Sequence, residues 1–187
     1  TADYIEGPSL DELLASPDDP PDGVGGRPVE MFLAATIVGG IGRHEGWSED
    51  QCGADGHSET CAAAYSLLFF EELANLDGDL RYGDLMERVV YNALLAAQDT
   101  QGRRLRYFTP FTGPRPYFEH DIFCCPGNFR RAVSRLPLNV YYRFQDGIAV
   151  NLYTRSKATM DLGNGLSVMM AQDTRYPTDG QVKLTVT

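Results

Sequence analysis

Two cysteines stand side by side in His120-Asp121-Ile122-Phe123-Cys124-Cys125-Pro126-Gly127-Asn128, and a third lies far upstream in Ser58-Glu59-Thr60-Cys61. Zinc takes four ligands, and thiolate and carboxylate both serve. Glu59, Cys61, Cys124 and Cys125 are therefore a candidate metal set. Glu59 and Cys61 flank Thr60 at an expected helix start, where the helix dipole favours anions. Cys124 and Cys125 sit on an expected loop closed by Pro126. Four such donors carry roughly two negative charges beyond what a dication neutralises. Zinc keeps thiols deprotonated at neutral pH, so the same residues are candidates for nucleophilic chemistry. Spacing alone leaves buried thiols or disulfides equally open, because a vicinal pair is not the Cys-x-x-Cys of common structural zinc sites.

The elements that must hold these residues can be read from the chain. The 187 residues suffice for one domain, or one and a fraction. Residues 1–28 are rich in Asp, Pro and Gly and read as loop, with a short helix at 10–15. Pro28 opens a helix over 29–37, which Gly39-Gly40-Ile41-Gly42 ends. Residues 59–77 are apolar almost all round and predict a helix buried on most sides, ending near Asp77-Gly78. Asp79 can cap a second helix over 80–98, so the two form an antiparallel hairpin. Residues 105–111 read as extended, and Asn128 as the cap of a helix reaching about Leu136, before Pro137. Short strands follow at 147–153, 166–170 and 182–186. Helices first and strands afterwards imply α+β or two separate units.

Composition narrows the function classes. Hydrophobic residues make up 43% of the chain, enough for a packed core. Sixteen basic and 26 acidic residues give a formal charge of -10, which repels nucleic-acid backbones and anionic membranes and excludes both as expected partners. No run of about 18 apolar residues predicts a membrane-spanning helix. The N-terminal Thr-Ala-Asp-Tyr-Ile-Glu has no apolar core of a secretory signal, though a chain beginning inside a longer protein would not show one. Four cysteines are too few for a disulfide scaffold; free or metal-bound thiols fit a reducing, cytoplasmic compartment.

Five runs then occur in one order: Val38-Gly39-Gly40-Ile41-Gly42, Ser58-Glu59-Thr60-Cys61-Ala62, Met86-Glu87-Arg88-Val89-Val90-Tyr91-Asn92, Cys124-Cys125-Pro126-Gly127-Asn128-Phe129-Arg130-Arg131 and Asp146-Gly147-Ile148-Ala149-Val150-Asn151-Leu152-Tyr153. Together, over about residues 38 to 156, they resemble glycoside hydrolase family 127, typified by bacterial β-L-arabinofuranosidases. The resemblance implies an α+β fold: the last helices of an (α/α)6 barrel followed by the first strands of a β-sandwich. Residues 1–28 are then an irregular N-terminal segment, 29–143 the helical part of the catalytic domain and 144–187 the start of the sandwich.

The resemblance also assigns roles. Glu59, Cys61, Cys124 and Cys125 hold one zinc ion, and Cys124 is the nucleophile. Retaining hydrolysis needs a carboxylic acid about 5 Å from the nucleophile, on the other side of the bond, by analogy with carboxylate pairs. In the family this acid lies between the Gly-Gly motif and Glu-Thr-Cys. Here that loop reads Arg43-His44-Glu45-Gly46-Trp47-Ser48-Glu49-Asp50 and departs from the commoner Gly-Glu-Ala-Phe form; Glu45 is the first choice and Glu49 the second. Glu87 matches a residue that hydrogen-bonds sugar hydroxyls, against the alternative of a helix-surface carboxylate beside Arg81 or Arg88. Tyr107 matches a substrate-contacting tyrosine, against core packing. Trp47 can stack on a sugar or anchor its loop; His44, His57 and His120 lie near the motifs without an assigned role, and Cys52 is a free thiol.

The expected activity is hydrolysis of β-L-arabinofuranosides or related furanosides with a zinc-bound cysteine nucleophile. The alternatives are a non-catalytic, zinc-stabilised carbohydrate-binding fragment and a protein with a structural Cys3Glu site. A carbohydrate is the expected partner. A whole barrel needs about a dozen helices, so a complete pocket requires self-assembly or a partner carrying the missing part.

Overall fold

The computed structural model describes residues 57–79, 81–110, 113–120, 122–144 and 147–187. The helices expected at 10–15 and 29–37, the acid/base candidates Glu45 and Glu49, and His44, Trp47 and Cys52 lie outside them. The architecture is mixed α+β, divided into two compact units. The first ends at Ala132 and the second is Val133–Thr187.

In the first unit, strand β1 (His57–Glu59) runs directly into helix α1 (Thr60–Asp77). Gly78 ends α1 at φ 71°, with its N–H on the Ala74 carbonyl at 3.0 Å. That left-handed backbone costs glycine little and other residues more. Asp79 Oδ1 then accepts the Arg81 N–H at 2.8 Å, and α2 (Arg81–Arg88) begins. The Phe70 and Tyr82 rings stack between the helices at 6.4 Å, within a core that includes Ala63, Leu67, Met86, Val89 and Leu94.

Two helix expectations need correction. The α-helix expected over 80–98 is α-helical only to Arg88; Val89–Leu94 is a π-helical turn and Leu95–Ala97 a 3-10 turn. The wider π turn keeps Val89, Val90, Ala93 and Leu94 all buried. Nor is α1 buried on most sides: Tyr65, Phe69 and Leu76 are exposed. Their spacing puts them along one stripe of the helix.

Strand β2 (Phe108–Pro110) pairs antiparallel with β1, with Glu59 opposite Phe108. The pairing is tied down beyond the strands. The Thr60 N–H donates to the Tyr107 carbonyl at 3.0 Å, and the Thr60 hydroxyl to the Arg106 carbonyl at 2.7 Å. Arg106 in turn fixes the next loop. Its Nη1 donates to the Ala96 carbonyl at 3.0 Å, its Nη2 to the Tyr117 hydroxyl at 2.7 Å, and its guanidinium covers the Tyr117 ring at 4.1 Å. Helix α3 (Cys124–Arg135) follows. The expected loop around the cysteine pair is thus the first turn of a helix, and Asn128 lies inside that helix rather than at its cap. Pro126 is its third residue, where a missing N–H breaks no intrahelical bond.

In the second unit, β3 (Tyr141–Phe144) and β4 (Gly147–Val150) form a hairpin. Strands β5 (Ser156–Gly163), β6 (Leu166–Thr174) and β7 (Val182–Val186) form an antiparallel sheet in that order. Asn164, at φ 53°, stands between Gly163 and Gly165 in the β5–β6 turn. Strands β4, β6 and β7 fall where strands are expected, β4 ending at Val150 rather than at 153 and β6 running on to Thr174 rather than stopping at 170; β3 and β5 are additional.

Candidate metal centre

Two helix N-termini meet at the site. Cys61 is the second residue of α1, and Glu59 immediately precedes that helix. Cys124 and Cys125 are the first two residues of α3. Both positions put anionic side chains where unpaired backbone N–H groups and the helix dipole favour negative charge. The expectation for Glu59 and Cys61 holds, and the same physics applies to the cysteine pair.

One ligand atom from each of Glu59, Cys61, Cys124 and Cys125 lies within 4.8 Å of the others. The Cys61 and Cys125 sulfurs are 3.1 Å apart, and the Cys125 sulfur is 3.9 Å from Glu59 Oε1. A disulfide needs about 2.05 Å, and Cys61, Cys124 and Cys125 are all free thiols. Tetrahedral zinc with bonds of about 2.0–2.3 Å spaces its ligand atoms roughly 3.3–3.8 Å apart, so the set would need shifts of about 1 Å, with the Cys61 and Cys125 sulfurs moving apart and the widest-spaced atoms closing in. Donor types, number and spacing all fit such an ion.

Burial distinguishes the four. Cys125 is 0% and Glu59 6% exposed. Cys61 is half-buried and Cys124 exposed. Cys124 therefore faces solvent while the others form the floor. Burial pushes the Cys61 thiol up to about 11, opposed by the Asn128 amide, and drives Cys125 well above the ordinary thiol range. Cys124 goes the other way: the Tyr107 hydroxyl, 3.4 Å from its sulfur, holds it below the usual value. Without a cation, the two inner thiols stay protonated at neutral pH, and Cys124 ionises first.

Tyr107 is thus brought to the cluster. Its ring meets Phe118 at 5.3 Å and Phe123 at 6.4 Å, and Phe118 meets His120 at 5.2 Å, forming an aromatic wall beside Cys124. Phe123 remains 56% exposed. Glu87 is not one of the four metal-set residues. It is half-buried in the last turn of α2, four residues before Tyr91. Burial, and then the Glu87 charge, raise the Tyr91 phenol. Sequence reasoning missed one contact: Asn128 Nδ2 donates to the Cys61 sulfur at 3.4 Å. Its position four residues after Cys124 carried the signal once the helix start is known.

Comparison with known proteins gives the family. Residues 34–138 match the family described as "Beta-L-arabinofuranosidase, GH127 catalytic domain", and residues 147–187 match the "GH127 middle domain". A non-reducing end β-L-arabinofuranosidase of Bifidobacterium longum is 26% identical over 144 residues. The alignment covers 70% of this chain and 22% of that relative. A GH127 β-L-arabinofuranosidase of Geobacillus stearothermophilus superposes with a TM-score of 0.63 at 29% identity, covering 70% of this chain and 23% of the other. A GH127 β-arabinofuranosidase superposes at 0.71 and 32% identity, covering 81% and 25%. The chain thus spans about a quarter, or less, of the length of these relatives.

Proposed function

The chain belongs to glycoside hydrolase family 127, and from that premise we propose that it carries the metal and nucleophile half of a retaining β-L-arabinofuranosidase-type site. The observation that carries this reading is the exposure of Cys124 above three more buried donors, Glu59, Cys61 and Cys125. A purely structural centre has no need of a solvent-facing thiol.

In this reading Glu59, Cys61, Cys124 and Cys125 hold zinc. The bound ion supplies positive charge that keeps Cys124 a thiolate at neutral pH. The Cys124 sulfur attacks the anomeric carbon of a furanoside, forming a C–S bond as the glycosidic C–O bond breaks. Glu45, with Glu49 as second choice, gives its proton to the departing oxygen. The resulting carboxylate then takes a proton from water. That water attacks the same carbon, the C–S bond breaks and Cys124 leaves as thiolate, so configuration is retained. Tyr107 steers the sulfur and meets the sugar, and Glu87 binds sugar hydroxyls.

The fold reading follows the same premise. In this reading the described part of 29–143 belongs to an (α/α)6 barrel, and 144–187 begin a β-sandwich. The exposed stripe of Tyr65, Phe69 and Leu76 on α1 supports this, since a barrel helix packs on neighbours along both flanks. The substrate is an arabinofuranoside-type glycan.

Zinc content and hydrolysis of an aryl β-L-arabinofuranoside test the reading, in the wild type and Cys124→Ser. Zinc binding with hydrolysis lost in Cys124→Ser is expected. Zinc binding without hydrolysis of any aryl glycoside by the wild type would remove the enzymatic reading for this chain. Unchanged metal content in Cys61→Ala would remove the four-ligand site.

A further inference from the structure

The inference rests on the metal-centre reading above and concerns a residue outside the ligand set. Asn128 lies one helical turn beyond Cys124 on α3, on the same face. Its Nδ2 donates to the Cys61 sulfur at 3.4 Å, while its Oδ1 accepts from Arg131 Nη1 at 2.8 Å. The two ends of an amide are nearly isosteric, so its direction is decided by its partners. A guanidinium has donors and no acceptor. Arg131 therefore requires the oxygen, which leaves the NH2 group facing sulfur. That is the direction a thiolate needs, because it can only accept.

Three thiolates and a carboxylate around a dication leave roughly two excess negative charges. A donor aimed at one sulfur disperses part of that charge without occupying a coordination position, and thiolate sulfur keeps lone pairs for it after ligation. Among the described residues, side-chain N–H or O–H groups reach two of the sulfurs: Asn128 at Cys61 and Tyr107 at Cys124. Tyr107 stands at the exposed thiol, where a substrate would arrive. Asn128 stands at the half-buried one. We propose that Asn128, held in one orientation by Arg131, is a positioning residue for Cys61 that sets its direction and its strength as a metal ligand. The pair ties α3 to α1 through the metal set, so the Cys-Cys-x-x-Asn-x-x-Arg run encodes two ligands and the means of tuning a third.

The test uses the full chain, with zinc affinity read by competition against a chromophoric chelator and the thiolate-to-cobalt charge-transfer band read after cobalt substitution. Asn128→Ala is expected to weaken zinc by about 10- to 100-fold and to shift the cobalt band. Asn128→Asp, which places a carboxylate against the sulfur, weakens it further. Arg131→Met weakens zinc by less, and combined with Asn128→Ala adds nothing, because Arg131 acts through the amide. Arg131 is exposed, so its replacement keeps the test usable if Asn128 variants fold poorly. Wild-type affinity and an unshifted band in Asn128→Ala, with zinc lost in Cys61→Ala, would overturn this inference and leave the four-ligand reading intact. Wild-type affinity in Cys61→Ala would overturn both. Additive losses in the double variant would remove Arg131 from the scheme and leave only the Asn128 contact.

Discussion

Cys124 and Cys125 are neighbours in sequence and opposites in environment. One faces solvent beside a phenol, and the other is fully buried against Cys61. The consequence is a proton inventory. Cys61 and Cys125 both have thiols raised by burial, Cys61 to about 11. At neutral pH the metal-free site therefore holds at least two protons that zinc must displace. Zinc affinity is expected to fall as pH is lowered, with at least two protons released per ion near neutrality. Calorimetric titration in buffers of different ionisation enthalpy counts them. Tyr107→Phe removes the donor that favours the Cys124 thiolate. In zinc-free protein, alkylation of Cys124 by iodoacetamide is then expected to shift to higher pH. An unmoved pH profile would show that the phenol does not govern this thiol.

At the scale of elements, the short connection between α1 and α2 carries a separable contribution. Asp79 accepts the Arg81 N–H at 2.8 Å and the Arg81 Nε at 2.7 Å. The Arg81 side chain, then its backbone N–H, holds the Asp79 carboxyl below the usual range. Asp79→Ala is expected to cost about 1 kcal/mol, read from chemical denaturation at pH 7. The sign with pH follows from a lowered folded-state value. The contribution is present above the unfolded carboxylate's value, about 3.9, and disappears as pH falls through the lower folded value. The gap between wild type and variant should therefore close below about pH 4.

The same elements mark what was legible in the chain. The α1 boundaries were, because an apolar run starts after Glu59 and Gly78 stops it. The four donors, one carboxylate and three thiols in two short motifs, were legible as a candidate metal set, although spacing alone left buried thiols or disulfides equally open. The π turn at Val89–Leu94 was not, because apolar residues three and four apart fit a 3.6-residue helix as well as a wider one. Strand β5 was missed because Ser156, Ala158 and Met160 alternate with Lys157, Thr159 and Asp161, a weak apolar pattern on small side chains. Pro126 disguised the start of α3: a proline reads as a break, yet in a first turn it interrupts nothing. Asn128 reads as a cap in the sequence for the same reason. The Tyr107–Cys124 contact depends on the pairing of β1 with β2 and on the loop that Arg106 fixes, neither of which spacing reveals.

For the whole molecule, all four donors belong to the first unit. Zinc held at the proposed centre is expected to raise the stability of the folded chain by about 2.7 kcal/mol when free zinc is a hundred times the dissociation constant. Chelation should reverse this. Hydrogen exchange locates the effect: the Thr60 amide and the hydrogen-bonded amides of the second turns of α1 and α3 should lose protection on zinc removal. Strands β5, β6 and β7 contribute no ligand and act as the internal reference. Equal loss of protection in both units would contradict this placement.

The β1–β2 pair also sets a timetable. It joins Ser58 to Thr109, 51 residues apart, and brackets the whole α1–α2 hairpin. Local helical contacts form early in folding, whereas a pairing across such a span must first meet the entropy of closing the loop. Cys61 is therefore expected to meet Cys124 and Cys125 late, after the local contacts of the hairpin, which stopped-flow refolding followed by circular dichroism and by thiol protection would check. The helices should appear in the early phase of refolding and the sulfur cluster in the late one. On that order, the refolding chain would have an interval in which its chemistry is encoded but not yet assembled.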